Sequence, residues 1–423
     1  MRGLSNPIHT FALVFNTITM QIKDIVVNPS ALLSDRIKSM DESATIKMAQ
    51  KARDLAQKGI NVISLSLGEP DFDTPNFIKE AAKVALDEGF TKYTPVPGLL
   101  KLRQAISSKF KRDNNLNYEP TQIVVSNGAK QSIANVVLSL INPGDEVIII
   151  TPYWVSYAEI VKLTGGIPVY VGADISQDYK ISATQLDEAI SEKTKLIIFS
   201  SPCNPTGSVY EKEELEALAA VILNYDNLMV ISDEIYEYIN FTSSHFSIAE
   251  VPGMEERTAT INGFSKGFSM TGWRLGYMGA PQWLASACSK VQGQFTSGAN
   301  SFGQEAAITA LDSPLTETYA MRDAFKERRD MLLKLLSDIP GFKVNKPMGA
   351  FYVFPDISAY FGKSFQGFEI NNSDDFSEYI LSHAHVGLVS GSAFGDDNCI
   401  RISYAASEPE LREAVRRIKE ALL

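Results

Sequence analysis

The nine residues Leu228–Tyr236, LMVISDEIY, pass from an apolar, β-branched run straight into two acids and a tyrosine. A run with no polar alternation suits a strand covered on both faces, as in a parallel sheet flanked by helices. The same pattern recurs on either side. Leu196–Ser200 (LIIFS) leads into Asn204-Pro205-Thr206-Gly207, and Ala259–Asn262 (ATIN) leads into Gly263-Phe264-Ser265-Lys266. From Asn204 to Asp233 is 29 residues and from Asp233 to Lys266 is 33, one strand-plus-helix unit each. Parallel strands present their carboxyl ends on one rim, where ligands bind. The spacing therefore predicts an Asn, an Asp and a Lys converging on one site.

Further strands are read at Ile123–Ser126, Glu146–Ile150 and Ile167–Val171, all as buried on both faces. Between strands, Thr74 is expected to cap a helix that begins with Pro75 and is closed by Gly89, and Gln131–Leu140 is expected to be helical. After about residue 310 the pattern changes. A long charged helix, Thr316–Ser337, is broken by Pro340-Gly341. Short strand-like pieces follow at Phe351–Phe354, Val386–Val389 and Ile400–Ser403, then a helix from Glu408. The helical first 60 residues, Ala44–Gln57 among them, are expected to pack with this later part. The reading is an α/β protein: a large domain over 65–315, and a smaller α+β domain built from 20–64 and 316–423. Residues 1–19 are read as a disordered or non-native extension, because His9–Met20 lacks the charged start and cleavage site of a leader.

Composition excludes several function classes. The 423 residues are 45% hydrophobic and 21% charged, an ordinary globular balance. A net charge of −11 without Lys/Arg runs argues against nucleic acid and anionic lipid as partners. Cys203, Cys288 and Cys399 have neither zinc-ligand nor disulfide-framework spacing, which suits a reducing cytoplasm. The four histidines form no H-E-x-x-H pair, so no metal is expected, and no apolar stretch nears the roughly 20 residues of a membrane span.

The three strand-end residues have a joint chemical use. Lys266, between Phe264 and Phe268, can lose its proton and attack a carbonyl carbon. Asp233 can keep a pyridine nitrogen protonated, and the Asn204 amide and Tyr236 hydroxyl can bond a phenolic oxygen. Each has a bland alternative alone, a solvated lysine or a helix-capping acid. Together they describe a site for pyridoxal phosphate. Gly128-Ala129-Lys130 would bring backbone N–H groups to the phosphate at a helix start, with Arg274 adding a fork of donors. Trp154 can stack on the ring or be a packing residue, and Arg401, alternating with apolar neighbours, can equally be half of a surface pair.

The segment Asn262–Gly276, NGFSKGFSMTGWRLG, resembles the pyridoxal-phosphate attachment motif of class I aminotransferases. Gly68–Pro75 (GEPDFDTP), Lys92-Tyr93-Thr94, Asn127–Gln131 (NGAKQ), Pro152–Tyr157 (PYWVSY), Asn204–Gly207, Asp233–Tyr236 and Arg401–Tyr404 (RISY) follow the family's order, over roughly residues 30 to 420. The chain is similar to bacterial-type aspartate aminotransferases and to plant-type glutamate/aspartate-prephenate aminotransferases. Asn127–Ser132, Cys288–Gly293 and Ala393–Asp397 lean towards the second group.

The resemblance implies the type I fold of pyridoxal-phosphate enzymes, with a mostly parallel seven-stranded sheet and a smaller α+β domain. It implies Lys266, Asp233 and Tyr236 as catalytic residues, Lys266 being the attachment point. Gly128, Ala129, Lys130, Ser265 and Arg274 would serve the phosphate end, with Trp154 stacked on the ring and Asn204 at its phenolic oxygen. Tyr93 would reach the phosphate from the other subunit of a homodimer. Arg401 would clamp the substrate α-carboxylate, with Gly68, Asn204 and Trp154 around it. Lys130 is the expected partner of a distal carboxylate, with Arg36 and Lys38 as further cations. Asp41 stands where relatives often carry a neutral or basic residue, and would oppose a distal carboxylate if it faced the pocket, whereas Thr45 keeps a polar contact. The implied activity is ping-pong transfer of an amino group from aspartate or glutamate to a 2-oxo acid, prephenate included. The alternatives are a mainly prephenate or aromatic aminotransferase, a decarboxylase or lyase on the same scaffold, and a cofactor-binding regulator. The chain lacks the length and basic patch of a regulator's DNA-binding module.

Overall fold

The computed structural model describes residues 29–423. The extension expected at 1–19, and residues 20–28 of the expected small domain, lie outside the described residues. Of the described residues, 29–40 belong to a unit of their own, with short helices at Pro29–Leu32 and Asp35–Lys38. Asp41–Leu423 form the other.

The larger unit is built on seven strands: β1 (Ile123–Ser126), β2 (Glu146–Thr151), β3 (Ile167–Gly172), β4 (Thr194–Ser200), β5 (Met229–Asp233), β6 (Thr258–Gly263) and β7 (Gly276–Gly279). Their order across the sheet is β1-β7-β6-β5-β4-β2-β3. All pairs are parallel except those of β7, which runs antiparallel to both β1 and β6. The central strands carry apolar stretches because helices cover both faces. Ile197, Ile198, Val230 and Ile231 are at most 1% exposed, and each buried side chain of this size is worth about 1.5–3 kcal/mol.

Two expectations are corrected here. Strand β3 is not buried on both faces. It closes one edge of the sheet, and Ile167 and Tyr170 are nearly half exposed. Thr74 does not cap a helix starting at Pro75. The helix spans Asn76–Asp87 with Pro75 as the flanking residue. The Thr74 hydroxyl donates instead to the Ser269 carbonyl at 2.6 Å and accepts from Trp273 Nε1 at 3.0 Å, tying this turn to the loop that carries Lys266. Gly89, at φ +82°, does close the helix.

Strand β7, GYMG, carries no apolar run of its own. Its first glycine is required by close packing: a Cβ on Gly276 would lie 2.2 Å from the Ala129 backbone nitrogen. Ala129 opens the helix Ala129–Leu140, two residues earlier than expected, so β7 presses directly on that helix start.

Beyond the sheet, Thr316–Ser337 is one helix and Glu408–Ala421 another. Between them, β8 (Tyr352–Val353), β9 (Val389–Ser390) and β10 (Ile400–Ser403) form an antiparallel sheet in the order β9-β10-β8. Ile63–Ser64 pairs with Val386–Gly387, not with the large sheet. One apolar cluster links these pieces through Ile63, Phe325, Leu336, Ile402, Leu411 and Ile418.

Candidate active site

The pairing of β4, β5 and β6 sets Ser200 opposite Asp233 and Asp233 opposite Ile261, so the loops after these strands leave from one rim. A cavity of about 320 Å³ opens there. Its wall includes Asn204, Asp233, Tyr236, Ser265, Lys266 and Arg274 from the large sheet's loops, with Ala129, Lys130, Trp154, Gly68 and Arg401. Gly128 is not among the lining residues, though it adjoins Ala129 and a Cβ on it would meet Arg274. Tyr93 does not join this group within the chain: it is 98% exposed.

Asp233 is buried, and burial pushes its carboxyl up to about 6, against the hydrogen bond from the Tyr157 hydroxyl to its Oδ2 at 2.6 Å. The backbone N–H of Ile235 donates to Oδ1 at 3.3 Å. The Lys266 ammonium donates to the Gly68 carbonyl. Burial, and then the positive charges of Arg401 and Arg274, bring Lys266 down to about 8. An amine near 8 and an acid near 6 in one cavity are the usual equipment for proton transfer near neutral pH.

Arg401 is not a surface residue. It lies on β10 and is 2% exposed. Its guanidinium donates to Asn204 Oδ1 at 2.9 Å and to the Ser66 carbonyl at 2.6 Å, while Nε has no partner. Among the described residues no carboxylate lies within ion-pair distance of Arg401 or Lys130. A buried cation with only neutral partners is costly unless an anion joins it, so the cavity suits a carboxylate. Lys130, exposed as a whole residue, has its Nζ 4.9 Å from the centre of the Trp154 ring, and partial desolvation followed by the Arg274 charge lowers its pKa. Asp41 is turned away: its carboxylate is 90% exposed and 3.9 Å from Lys162 Nζ. Thr45 does line the cavity.

At the helix start Ala129–Leu140, Gly128 is the flanking residue and no side chain caps the free N–H groups. Gly128 has φ +83°, and a Cβ there would meet Arg274 Nη2 at 2.4 Å. Arg274 holds a left-handed φ of +55° and donates to the Thr271 carbonyl at 2.9 Å. Uncapped amides beside a guanidinium make an anion cradle.

Two site residues escaped sequence reasoning. Tyr157 stands three residues after Trp154, at the start of a helix, and that spacing could have marked it as a neighbour. Tyr352 sits in an apolar run, Phe351–Phe354, and gave no signal. Its hydroxyl is 2.8 Å from that of Tyr236. A separate group, Glu234, Glu237 and His245, lies close enough to share a cation, but the Lys109 ammonium already pairs with Glu237 and His245 Nε2 lies 2.9 Å from Glu234. No described helix is long and apolar enough to cross a membrane.

Known proteins are similar to this chain in sequence and fold. The sequence matches the family model for aminotransferase class I and II over residues 60–418. It is 48% identical to a bifunctional aspartate aminotransferase and glutamate/aspartate-prephenate aminotransferase of Petunia hybrida, over all of this chain and 91% of that protein. The structure is similar to the aspartate aminotransferase of Rhizobium meliloti, with a TM-score of 0.89 and 40% identity over 92% of this chain and 98% of that one. It is also similar to the Thermus thermophilus aspartate aminotransferase with maleate, with a TM-score of 0.86 and 39% identity over 92% and 99% of the two chains. A match of this extent, on a fold whose strand ends bring Asn204, Asp233 and Lys266 to one cavity, places the chain in the class I and II aminotransferase family.

Proposed function

We propose that this aminotransferase moves the amino group of aspartate or glutamate to a 2-oxo acid, and that two cations divide the recognition of a dicarboxylic substrate. One observation carries the reading: Arg401 and Lys130, neither in an ion pair among the described residues, line the cavity that also holds Lys266 and Asp233. Arg401 is assigned the α-carboxylate, with Gly68, Asn204 and Trp154 beside it, and Lys130 the distal carboxylate. The names of the relatives, and the maleate of one of them, support a dicarboxylate.

Pyridoxal phosphate is the expected cofactor of this family, and the residues present fit it. The uncapped helix start with Ala129 and Lys130, Gly128 without a Cβ and Arg274 would hold the phosphate, with Ser265 beside them. Trp154 would lie on the ring, Asp233 would face its nitrogen, and Asn204 and Tyr236 its phenolic oxygen. When bound, this group supplies an electrophilic carbon and a ring that accepts the negative charge left on the substrate Cα.

The chain's own residues supply the rest. Lys266, as a neutral amine, would take the Cα proton of the amino acid onto Nζ and hold it there for return later in the amino-group transfer. Asp233, ionised, would hold a proton on a ring nitrogen facing it, and the Tyr157 hydroxyl keeps its carboxylate oriented. Arg401 fixes the Cα–H bond towards Lys266 by anchoring the carboxylate. The amino group leaves only after the first product does, so the kinetics are ping-pong.

Prephenate is a second acceptor on this reading: Asp41 faces Lys162, outside the cavity, so it does not oppose a distal carboxylate at Lys130. Tyr93, an exposed aromatic, is proposed to complete the phosphate site of a second copy in a homodimer. Residues 65–315 are proposed as the cofactor domain, with 20–64 and 316–423 as the smaller one. The three free cysteines fit residence in the cytoplasm. The test is a panel of amino donors and 2-oxo acids, prephenate among the acceptors. Turnover is expected with aspartate, glutamate, oxaloacetate, 2-oxoglutarate and prephenate. Preference for uncharged amino acids would overturn the assignment of Lys130.

A further inference from the structure

Tyr352 is completely buried on β8, and three contacts define its place. Its hydroxyl lies 2.8 Å from the Tyr236 hydroxyl. Its ring lies under the Arg401 guanidinium, 4.5 Å from ring centre to carbon. The same hydroxyl sits so close to Gly68 that a Cβ on Gly68 would come within 2.5 Å of it. One side chain thus touches the residue assigned to the cofactor's phenolic oxygen, the residue assigned to the substrate carboxylate, and the turn whose carbonyl accepts from Lys266.

The direction of the hydroxyl pair follows from proton counting. A tyrosine has one O–H to donate. If Tyr236 donates to the phenolic oxygen, its own oxygen can only accept, and Tyr352 must be the donor. We propose that Tyr352 is a positioning residue joining the two halves of the site: its O–H donates to Tyr236, and its ring holds the Arg401 guanidinium flat for the substrate carboxylate. The inference rests on the roles given above to Tyr236 and Arg401. A donor to a donor strengthens it in a low-dielectric site, so Tyr352 makes Tyr236 bind the phenolic oxygen more tightly. Without that bond the phenolic oxygen holds its neighbouring proton more strongly. The ring acts separately, through the flat face of an otherwise half-satisfied cation.

Two variants separate the two contributions. Tyr352→Phe keeps the ring and removes the O–H. Tyr352→Leu removes both. With the full-length protein, three quantities are read: the affinity of the cofactor-free protein for pyridoxal phosphate, the pH midpoint of the bound cofactor's visible absorbance, and KM for aspartate. Tyr352→Phe is expected to raise the midpoint by ~0.3 units or more and to weaken cofactor affinity, with KM within about twofold of the parent. Tyr352→Leu is expected to add a KM increase of about 3- to 30-fold. A Phe variant with the parent's midpoint and affinity overturns the proposal, and so does a Leu variant with the parent's KM. Circular dichroism of the Phe variant, nearly isosteric, separates a lost bond from a lost fold. If the parent itself shows no visible band with pyridoxal phosphate, the reading of the site fails as a whole. Unchanged variants of a parent with that band defeat only the role of Tyr352.

Discussion

Burial sets the working pH of Lys266 and Asp233 in opposite directions, bringing a lysine down and an acid up towards neutrality. Lys266 lies near 8 against an ordinary 10.5, and only its neutral form attacks an aldehyde. The rate at which cofactor-free protein captures pyridoxal phosphate is therefore expected to rise with pH with a midpoint near 8, followed by stopped-flow absorbance. A midpoint above 10 would show an ordinary, solvated lysine. Asp233 lies near 6 against an ordinary 3.8. The folded cofactor-free protein thus binds more protons here than the unfolded chain between those values, and this group's contribution to stability falls as pH rises from about 4 to about 6. Asp233→Asn removes the buried charge and keeps an acceptor for Tyr157. It is expected to stabilise the cofactor-free protein at pH 7 by on the order of 1–3 kcal/mol in urea unfolding, and to cost roughly 10²-fold or more in turnover. A variant that is both active and no more stable would contradict the placement of Asp233.

At the scale of elements, the proposed phosphate cradle is a helix start, a glycine and an arginine held in a left-handed turn. Arg274→Ala is expected to weaken pyridoxal phosphate binding by roughly 10- to 100-fold, the value of a charge-assisted bond, and to leave pyridoxal, which lacks the phosphate, unaffected. Equilibrium dialysis of both ligands reads the difference directly, and equal losses would place Arg274 elsewhere. Gly128→Ala is expected to weaken the same ligand and also to lower stability, because a Cβ at φ +83° is strained and strikes Arg274. The strands that carry these loops were legible because covered strands are written as unbroken apolar runs, as in Leu228–Ser232. Strand β7 was not, because its glycines answer to a neighbouring helix and leave no apolar run. Thr74 misled for a similar reason: its hydroxyl serves a loop almost 200 residues away, which local capping rules cannot reveal.

Across the whole molecule, the site joins strand ends of the large sheet to β10 and to the helix start at Ala129. Asn204, Asp233 and Lys266 were legible because their spacing follows the strand-helix repeat. The depth of Arg401 was not, since a strand residue among apolar neighbours reads the same at a surface or in a core. Tyr352 was hidden altogether, as its value lies in a contact between distant parts of the chain. The net charge of −11 is no obstacle to the proposed binding of dicarboxylates, since the cations proposed to receive them, Arg401 and Lys130, line one cavity. Lys130→Ala is expected to raise KM for aspartate by about 10-fold or more, with little change for an uncharged amino acid. Equal changes for both would remove Lys130 from substrate recognition. The central claim, amino-group transfer between dicarboxylic acids in two separated halves, is tested most directly by a single half-reaction. The purified protein loaded with pyridoxal phosphate is mixed with L-aspartate alone, and oxaloacetate is counted against active sites. One oxaloacetate per site, then one glutamate per site after 2-oxoglutarate is added, is the expected result. Release of carbon dioxide or ammonia, or no oxaloacetate until the second substrate is present, would contradict it.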